Sequence, residues 1–217
     1  MKIKVCGITQ VEQLIALQEL GIDYAGMIFY QQSSRYVLTK LNSKTIKDAQ
    51  LKIKKVGVFV NATEEEILTM IKEYDLDLVQ LHGDETPSFC ERISNKVRVI
   101  KAFRISEKNE ENIEWLIKPY KESVDFYLFD TYSKNAYGGT GTKFNWQALQ
   151  QCNINKPFFL SGGIGIDDID YIKEFNNPFF YGIDLNSKVE SEPGVKDLQL
   201  IKQILKVKDH KSISETK

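Results

Sequence analysis

The sequence predicts an α/β protein that folds as a single-domain (β/α)8 TIM barrel, with eight parallel strands and an outer layer of helices. Short apolar runs alternate with helix-like runs eight times along the 217 residues. The apolar runs are nearly continuous, which is typical of parallel strands that are covered on both faces. A count of eight favours the closed barrel over a doubly wound sheet, and the length falls within the range of such barrels.

The first half of the chain supplies four strand–helix pairs. The predicted strands are "IKVCGI", "DYAGMIFY", "KKVGVFVN" and "LDLVQLHG". The helix "VEQLIALQEL" is closed by Gly21, whereas the pattern from about Thr39 to Gln50 is weaker. Thr63 begins "TEEEILTMIKEY" with Glu66 three residues later, which is a capping box, and a proline lies near the start of "PSFCERIS".

The second half of the chain repeats this alternation. The predicted strands are "VRVIKAF", "DFYLFDT", "KPFFLSGGI" and "FFYGIDLNS". The predicted helices are "SEKNEENIEWLIKPY", "FNWQALQQC", "IDDIDYIKEF" and "VKDLQLIKQIL". No linker separates the pairs, so we expect a catalytic barrel domain over residues 1–207 and a polar C-terminal tail over residues 208–217.

Composition and charge argue against several functional classes. The formal net charge is −1 and basic residues are interleaved with acidic ones, so we expect no nucleic-acid partner and no membrane-binding patch. The start of the chain lacks the apolar core of a signal peptide, and no apolar run approaches a membrane span, which predicts a cytoplasmic protein. The chain has 3 widely spaced cysteines, no CxxC and only 2 histidines, which argues against a disulfide framework or a metal site.

Polar, reactive and glycine residues follow the predicted strands. Barrel enzymes build their sites from the carboxyl ends of the strands and from the loops after them. The residues at these positions are, in strand order, Cys6, Ser33-Ser34-Arg35, Asn61, His82-Gly83-Asp84, Arg104, Asp130-Thr131, Ser161-Gly162-Gly163 and Asp184-Leu185-Asn186-Ser187. We therefore expect these residues together at one end of the barrel.

Cys6 and Asp130 are the candidate acid–base pair, at the ends of the first and sixth strands. Asp130 closes an apolar run at residues 126–129, and a carboxyl in apolar surroundings keeps its proton more readily, as a general acid must. A thiol is an effective base only as the thiolate, which needs a polar or positive setting. Taken singly, each residue has a structural alternative, namely a packed cysteine and a helix-capping aspartate.

Glycine-containing segments follow the last three strands: the glycine-rich "YGGTGTKFNW" after the sixth, "LSGGIG" after the seventh and "DLNSKVESEPGVKD" after the eighth. Loops after the seventh and eighth strands of a barrel commonly bind phosphate through backbone N–H groups, although ordinary turn glycines are the alternative. Arg35 is able to hold a carboxylate with two parallel hydrogen bonds, but on composition alone a solvated surface arginine is the more common case. For His82, too, two interpretations stay open: it is a residue of the site, or it only satisfies neighbouring backbone groups.

The sequence resembles the phosphoribosylanthranilate isomerase family over residues 2–205. The motifs that carry the resemblance are "KVCGIT", "GMIFYQQSSRYV", "VGVFVN", "VQLHGDE", "LFDT", "GGTGTKFNW", "LSGGI" and "GIDLNSKVESEPGVKD", in that order. The resemblance implies an Amadori rearrangement of N-(5'-phosphoribosyl)anthranilate to 1-(2-carboxyphenylamino)-1-deoxyribulose 5-phosphate in tryptophan biosynthesis. It implies a small-molecule phosphoribosyl substrate, no cofactor and no metal.

The resemblance also implies roles for individual residues. Cys6 is implied as the general base, Asp130 as the general acid and Arg35 as the clamp for the anthranilate carboxylate. The further binding residues that it implies are Gly162, Gly163, Asn186 and Ser187 for the phosphate, Asp184 for the sugar hydroxyls, and His82 as a wall of the site. Lys188 stands where the family usually has a glycine, and we expect it to point outward because most lysines are solvated.

Other functions stay open from the sequence alone. A barrel isomerase of the histidine pathway is expected to pair two aspartates where this chain has Cys6 and Asp130. A Schiff-base aldolase would use Lys101 as its amine, unless that side chain points outward to the helices. A non-catalytic phosphosugar-binding barrel would keep the phosphate loops without an acid–base pair. The sequence is compatible with a monomer or a homodimer.

Overall fold

The structure, a computed structural model, describes residues 1–106, 112–131 and 145–209 of the chain. Eight parallel strands form a closed barrel in sequential order, and the last strand pairs with the first. The strands are β1 (Lys2–Val5), β2 (Tyr24–Ile28), β3 (Lys54–Phe59), β4 (Leu78–Leu81), β5 (Arg98–Ile105), β6 (Phe126–Thr131), β7 (Phe158–Leu160) and β8 (Phe180–Leu185). The predicted fold class is therefore confirmed.

The outer layer contains one α-helix after each strand. The helices are α1 (Val11–Glu19), α2 (Ser43–Asp48), α3 (Glu64–Tyr74), α4 (Pro87–Ser94), α5 (Ile113–Ile117), α6 (Gln147–Gln151), α7 (Ile169–Lys173) and α8 (Leu198–Asp209). The predicted capping box of α3 is present, because the Thr63 hydroxyl accepts from the Glu66 amide at 3.2 Å and the Thr63 amide donates to the Glu66 carboxylate at 2.7 Å. Helix α2 is shorter than predicted and is capped by Asn42.

Two apolar cores hold the barrel and its helices together. The barrel interior is packed with side chains from alternate strand positions: Tyr24, Val56, Leu78, Ile100, Ala102, Phe126, Leu128 and Phe159. A larger core lies between the strands and the helices. Gln80 and Asp130 lie two residues beyond Leu78 and Leu128 on their strands, so their side chains face inward above this packed interior.

A small antiparallel sheet follows β8 and was not predicted. It consists of β9 (Glu190–Glu192) and β10 (Val195–Lys196), and its turn contains Gly194 with φ +91°. The Thr9 hydroxyl donates to the Gly194 carbonyl at 2.7 Å, which ties this hairpin to the loop after β1. The hairpin thereby brings Glu190 and Lys196 next to the carboxyl end of β1.

Lys101 faces the helix layer and not the interior of the barrel. Its Nζ donates to the Glu85 carboxylate at 2.9 Å and to the Gly83 carbonyl at 2.8 Å, and it lies 5.9 Å from the ring centre of Tyr120. This orientation removes the sequence-based support for a Schiff-base aldolase.

Helix α8 ends at Asp209, and residues 210–217 lie outside the described part of the chain. The predicted boundary between a barrel domain and a polar tail at residue 207 therefore stays a prediction. No helix among residues 1–106, 112–131 and 145–209 combines the length and apolar character that crossing a membrane requires.

Candidate active site

A cavity opens at the carboxyl ends of the barrel strands. Its lining includes eight of the predicted site residues: Cys6, His82, Asp130, Gly162, Gly163, Asp184, Asn186 and Ser187. The remaining one, Arg35, is not part of this lining, but a Cβ on Gly7 would lie 2.6 Å from its Cδ and 2.8 Å from Asn186 Oδ1. The glycine-rich segment at residues 137–146 lies outside the described residues except for its last two. The structure thus brings together residues as far apart in the sequence as Cys6 and Ser187.

Cys6 directly follows β1, and its side chain is only 4% exposed. A methyl group on Gly26 of β2 would lie 2.8 Å from its Sγ, so the absence of a side chain at Gly26 makes room for the thiol. Burial raises the pKa of the Cys6 thiol, Asp184 adds to this effect, and the ammonium groups of Lys4 and Lys196 oppose it. The thiol therefore lies on the cavity wall in a dry but strongly charged setting.

Asp130 lies within β6, and its carboxyl is buried beside His82. Its Oδ1 accepts from the Thr131 amide at 2.9 Å, and its Oδ2 lies 3.2 Å from His82 Nε2. This second pair is within ion-pair distance, although its angles fall short of a hydrogen bond. The Gln80 amide nitrogen lies 2.8 Å from His82 Nδ1, and with nitrogen as the donor the ring proton is on Nε2, facing Asp130. Asp130 is therefore a strand residue aimed into the cavity and not a helix cap.

Asp184 and Lys4 form a buried ion pair in the wall of the barrel. They are register partners on β8 and β1, and Lys4 Nζ donates to Asp184 Oδ2 at 2.8 Å. Burial raises the pKa of Asp184, and Lys4 only partly opposes this rise. Burial acts to lower the pKa of Lys4, but Asp184 and Cys6 more than offset it, so that its pKa is raised. Asp184 Oδ1 has no hydrogen-bond partner among the described residues, although it is buried in the cavity wall.

Arg35 makes a bidentate contact with Glu190 of the hairpin. Its Nε and Nη2 lie 2.9 Å and 2.6 Å from the two carboxylate oxygens. Lys196 Nζ also contacts the Glu190 carboxylate at 2.5 Å and donates to the Asn186 side-chain oxygen at 2.9 Å. Burial acts to raise the pKa of Glu190, but Arg35 and Lys196 outweigh it and lower that pKa. Glu190 thus fixes one edge of the Arg35 guanidinium.

The loop after β7 contributes Gly162 and Gly163 to the lining of the cavity. Gly162 and Gly163 have φ values of +94° and +69°, which favour glycine. A Cβ on Gly162 would overlap with Thr131 Oγ1 and lie 2.8 Å from the Thr131 amide nitrogen. Within the described part of the chain, neither glycine amide donates a hydrogen bond. Backbone amides in a glycine turn of this kind, with no acceptor among the described residues, are suited to bind an anion.

The loop after β8 forms the neighbouring wall. Asn186 and Ser187 line the cavity, and a short 3-10 turn begins at Ser187. Lys188 is exposed, as expected for a solvated lysine, but it also lines the cavity, 3.7 Å from where a Cβ on Gly165 would lie. The outward orientation of Lys188 thus stays a prediction.

Sequence reasoning missed four charged or polar residues around the site: Lys4, Gln80, Glu190 and Lys196. Lys4 precedes Cys6 by two residues and Gln80 precedes His82 by two. The period of a strand places each pair on one face, so this signal was available. Glu190 and Lys196 reach the site through the hairpin, for which the sequence offered no comparable signal. In the described part of the chain, no three His, Cys, Asp or Glu side chains are arranged to hold a metal ion.

Comparison with known proteins gives consistent results. A family model described as N-(5'-phosphoribosyl)anthranilate (PRA) isomerase matches residues 3–207. The N-(5'-phosphoribosyl)anthranilate isomerase of Parabacteroides distasonis is 41% identical over 207 residues, which cover 94% of this chain and 92% of the relative. The solved phosphoribosyl anthranilate isomerase of Thermotoga maritima aligns with a TM-score of 0.82 at 32% identity, covering 96% of this chain and 98% of that one.

A second solved phosphoribosyl anthranilate isomerase is a complex with reduced 1-(o-carboxyphenylamino)-1-deoxyribulose 5-phosphate. It aligns with a TM-score of 0.77 at 31% identity, covering 96% of this chain and 98% of that one. The fold and the cavity at the strand ends define a (β/α)8 barrel with a site at its carboxyl end, and the matched family model and relatives make it an enzyme of the isomerase class. Since the family model spans almost all of the barrel, the chain belongs to the N-(5'-phosphoribosyl)anthranilate isomerase family.

Proposed function

We propose that this chain catalyses the Amadori rearrangement of N-(5'-phosphoribosyl)anthranilate to 1-(2-carboxyphenylamino)-1-deoxyribulose 5-phosphate in the tryptophan pathway of the cytoplasm. The observation that carries the proposal is that Cys6 and Asp130 line one cavity, together with two glycines whose amides donate no hydrogen bond within the described residues. Membership of the family, and the product-like ligand of the solved relative, support the same substrate.

Asp130 is proposed as the general acid. Its carboxyl gives a proton to the ring oxygen of the furanose, the C1'–O bond breaks, and the nitrogen lone pair of anthranilate forms an iminium. His82 Nε2 lies 3.2 Å from the Asp130 carboxyl, and the Gln80 side chain contacts the other ring nitrogen of His82. Because the substrate nitrogen acts as the electron sink, the mechanism uses neither a metal nor a cofactor.

Cys6 is proposed as the general base. Its thiolate takes the proton from C2' of the iminium, and the C–H electron pair becomes the C1'–C2' double bond of a neutral enolamine. The enolamine then gains a proton at C1' and loses the C2' hydroxyl proton, which yields the ketone. The position of Cys6 at the end of β1, on the cavity wall, supports this role.

Polar groups of the cavity are proposed to hold the sugar phosphate. The unpaired Oδ1 of Asp184 is a buried acceptor that a sugar hydroxyl would satisfy, which removes the cost of an unpaired polar atom. The amides of Gly162 and Gly163, with Asn186 and Ser187 opposite, are the proposed phosphate donors.

Arg35 is proposed to bind the anthranilate carboxylate with the guanidinium edge that Glu190 leaves open. The edge made of Nε and Nη2 is bound to Glu190, and Nη1 has no partner among the described residues. The position of Arg35 beside Asn186 and Gly7 puts it next to the cavity. Arg35 would therefore contact the anthranilate carboxylate from its position beside Asn186, in the loop after β8.

Complementation tests the proposal. A bacterial strain that lacks this isomerase should grow without tryptophan when it expresses the chain, and a strain that lacks the related histidine-pathway isomerase should not grow without histidine. Failure of the soluble chain to support growth without tryptophan would refute the proposal. Growth of the histidine strain alone would favour the histidine-pathway alternative.

A further inference from the structure

We propose that Lys4 is a positioning residue that supplies the counter-charge for the Cys6 thiolate. This inference deepens the proposed function and rests on its assignment of Cys6 as the base. Lysine is among the residues that are least often buried, yet Lys4 is 0% exposed. A buried ammonium needs a compensating partner, and the surroundings of Lys4 identify two.

The first partner is the Cys6 thiol. Lys4 and Cys6 are two residues apart along β1, so both side chains leave the same face of the strand. A methyl group on Gly26 would lie 2.8 Å from Cys6 Sγ and 3.2 Å from Lys4 Nζ. Cys6 Sγ and Lys4 Nζ therefore both lie next to Gly26. At such a separation, the positive charge of the ammonium lowers the pKa of a thiol.

The second partner is Asp184, which fixes the ammonium in this place. The two residues are register partners on adjacent parallel strands, and Nζ donates to Oδ2 at 2.8 Å. Because both residues are on strands of the closed barrel, neither backbone can shift independently of the other. Asp184 thus orients Lys4, while its own charge disfavours the thiolate.

Charges on several elements lie around Cys6, and the ammonium groups among them oppose the rise in the pKa of the thiol that burial causes. Lys4, Arg35 and Lys196 are the cations, and Asp184 and Glu190 are the carboxylates that pair with them. His82, Asp130 and Lys188 lie on other walls of the same cavity. The ion-paired group alone has three cations and two carboxylates, so it carries one excess positive charge that a thiolate would neutralise. Among these charges, Lys4 has the largest influence on the pKa of Cys6.

The same balance fits the proposed proton transfer. When the thiolate takes the C2' proton, the thiol becomes neutral and the iminium becomes a neutral enolamine. Lys4 keeps its proton throughout, because the pKa of Lys4 is raised by its partners. Lys4 is therefore not a proton donor in this scheme, and it acts on the reaction only through Cys6.

The test is the pH dependence of Cys6 alkylation in the free enzyme, which needs no turnover. The rate of iodoacetamide modification is followed for the Cys6 peptide by mass spectrometry, with Cys152 as an internal standard outside the cavity. Lys4→Met should shift the midpoint of this pH profile, the pH at which the alkylation rate of Cys6 is half-maximal, upward by about one pH unit or more. At pH values below the midpoint, the alkylation rate should then be about tenfold lower than in the wild type. Asp184→Asn should lower the midpoint, because it removes the carboxylate that opposes the thiolate.

Shifts of the midpoint in opposite directions for Lys4→Met and Asp184→Asn distinguish an electrostatic role of Lys4 from a structural one. If the ion pair were merely structural, the loss of either partner would shift the midpoint in the same direction. Lys101→Met is the matched control. It breaks a buried pair of similar geometry, Lys101 to Glu85 at 2.9 Å, that faces the helices. This control should leave the Cys6 midpoint unchanged even if the protein becomes less stable.

A double variant keeps the proposal testable if Lys4→Met does not fold. Lys4→Met with Asp184→Asn leaves no unpaired buried charge, and its midpoint should still lie above that of the wild type because Lys4 acts on Cys6 more strongly than Asp184 does. A midpoint within about 0.3 units of the wild type in the folded Lys4 variants, or shifts of equal sign in the two single variants, would overturn the proposal. Loss of activity in Cys6→Ala is a separate outcome that tests only the assignment of the base.

Discussion

Replacing Gly162 with alanine would test the phosphate-binding role of the loop after β7. The backbone there has φ +94°, and a methyl group would overlap with Thr131 Oγ1 and lie 3.0 Å from Thr131 Cβ. Backbone strain of this kind costs about 1–3 kcal/mol, and the overlap forces the loop to move away from β6. The amides of Gly162 and Gly163 would then no longer point at a phosphate bound in the cavity.

The expected kinetic effect follows from the hydrogen bonds that are lost. A hydrogen bond to a charged group contributes about 1.5–3 kcal/mol, so loss of one amide donor should raise KM about tenfold to a hundredfold. Steady-state kinetics with N-(5'-phosphoribosyl)anthranilate give KM, and inhibition by inorganic phosphate gives an independent measure of anion affinity. Thermal unfolding should show a fall in Tm of about 2–4 °C for each kcal/mol of strain.

Gly21→Ala is the matched control for this prediction. Gly21 also has a positive φ of +73°, but a Cβ there would meet nothing within 4 Å, and it lies at the end of α1 away from the cavity. It should lower Tm without changing KM. If the folded Gly162→Ala enzyme kept the KM and the phosphate inhibition of the wild type, the loop would not be the phosphate site.

Three further predictions concern the rest of the cavity. Arg35→Lys should raise KM with little change in kcat, because lysine keeps the charge but loses the planar fork, and an unchanged KM would remove Arg35 from the carboxylate site. The value of kcat/KM should rise from pH 7 to pH 9, because burial raises the pKa of Cys6 and the thiolate fraction grows over this range, whereas a flat profile would argue against a thiolate base. Lys188→Gly should change KM by less than about threefold if Lys188 points outward, and a tenfold rise at low salt would make it a phosphate ligand.

Most of the fold could be predicted because each barrel strand is a separate apolar run followed by a helical pattern. The capping box at Thr63 and Glu66 marked the start of α3 to the residue. The sequence pattern was less informative about the ends of α2 and about the hairpin of β9 and β10. Helix α2 begins at Ser43 because Asn42 caps it, four residues after the predicted start, and β9 and β10 are too short to show a period.

The site was predicted as a set of strand ends, but its charge network was not. The pairing of Lys4 with Asp184 depends on the register between the first and last strands, which exists only once the barrel closes. Arg35 was predicted as a free clamp, yet the structure binds one of its edges to Glu190, which follows it by 155 residues. Such partners follow from topology and not from local spacing.

The turnover of Cys6→Ala and Asp130→Asn, measured under single-turnover conditions with saturating enzyme, tests the acid–base assignment most directly. The assignment predicts that each variant loses a factor of about 10²–10⁴ in rate, while its affinity for reduced 1-(o-carboxyphenylamino)-1-deoxyribulose 5-phosphate and its circular dichroism stay close to those of the wild type. A folded variant of either residue that binds this ligand and turns over substrate within about threefold of the wild-type rate would contradict the assignment of that residue.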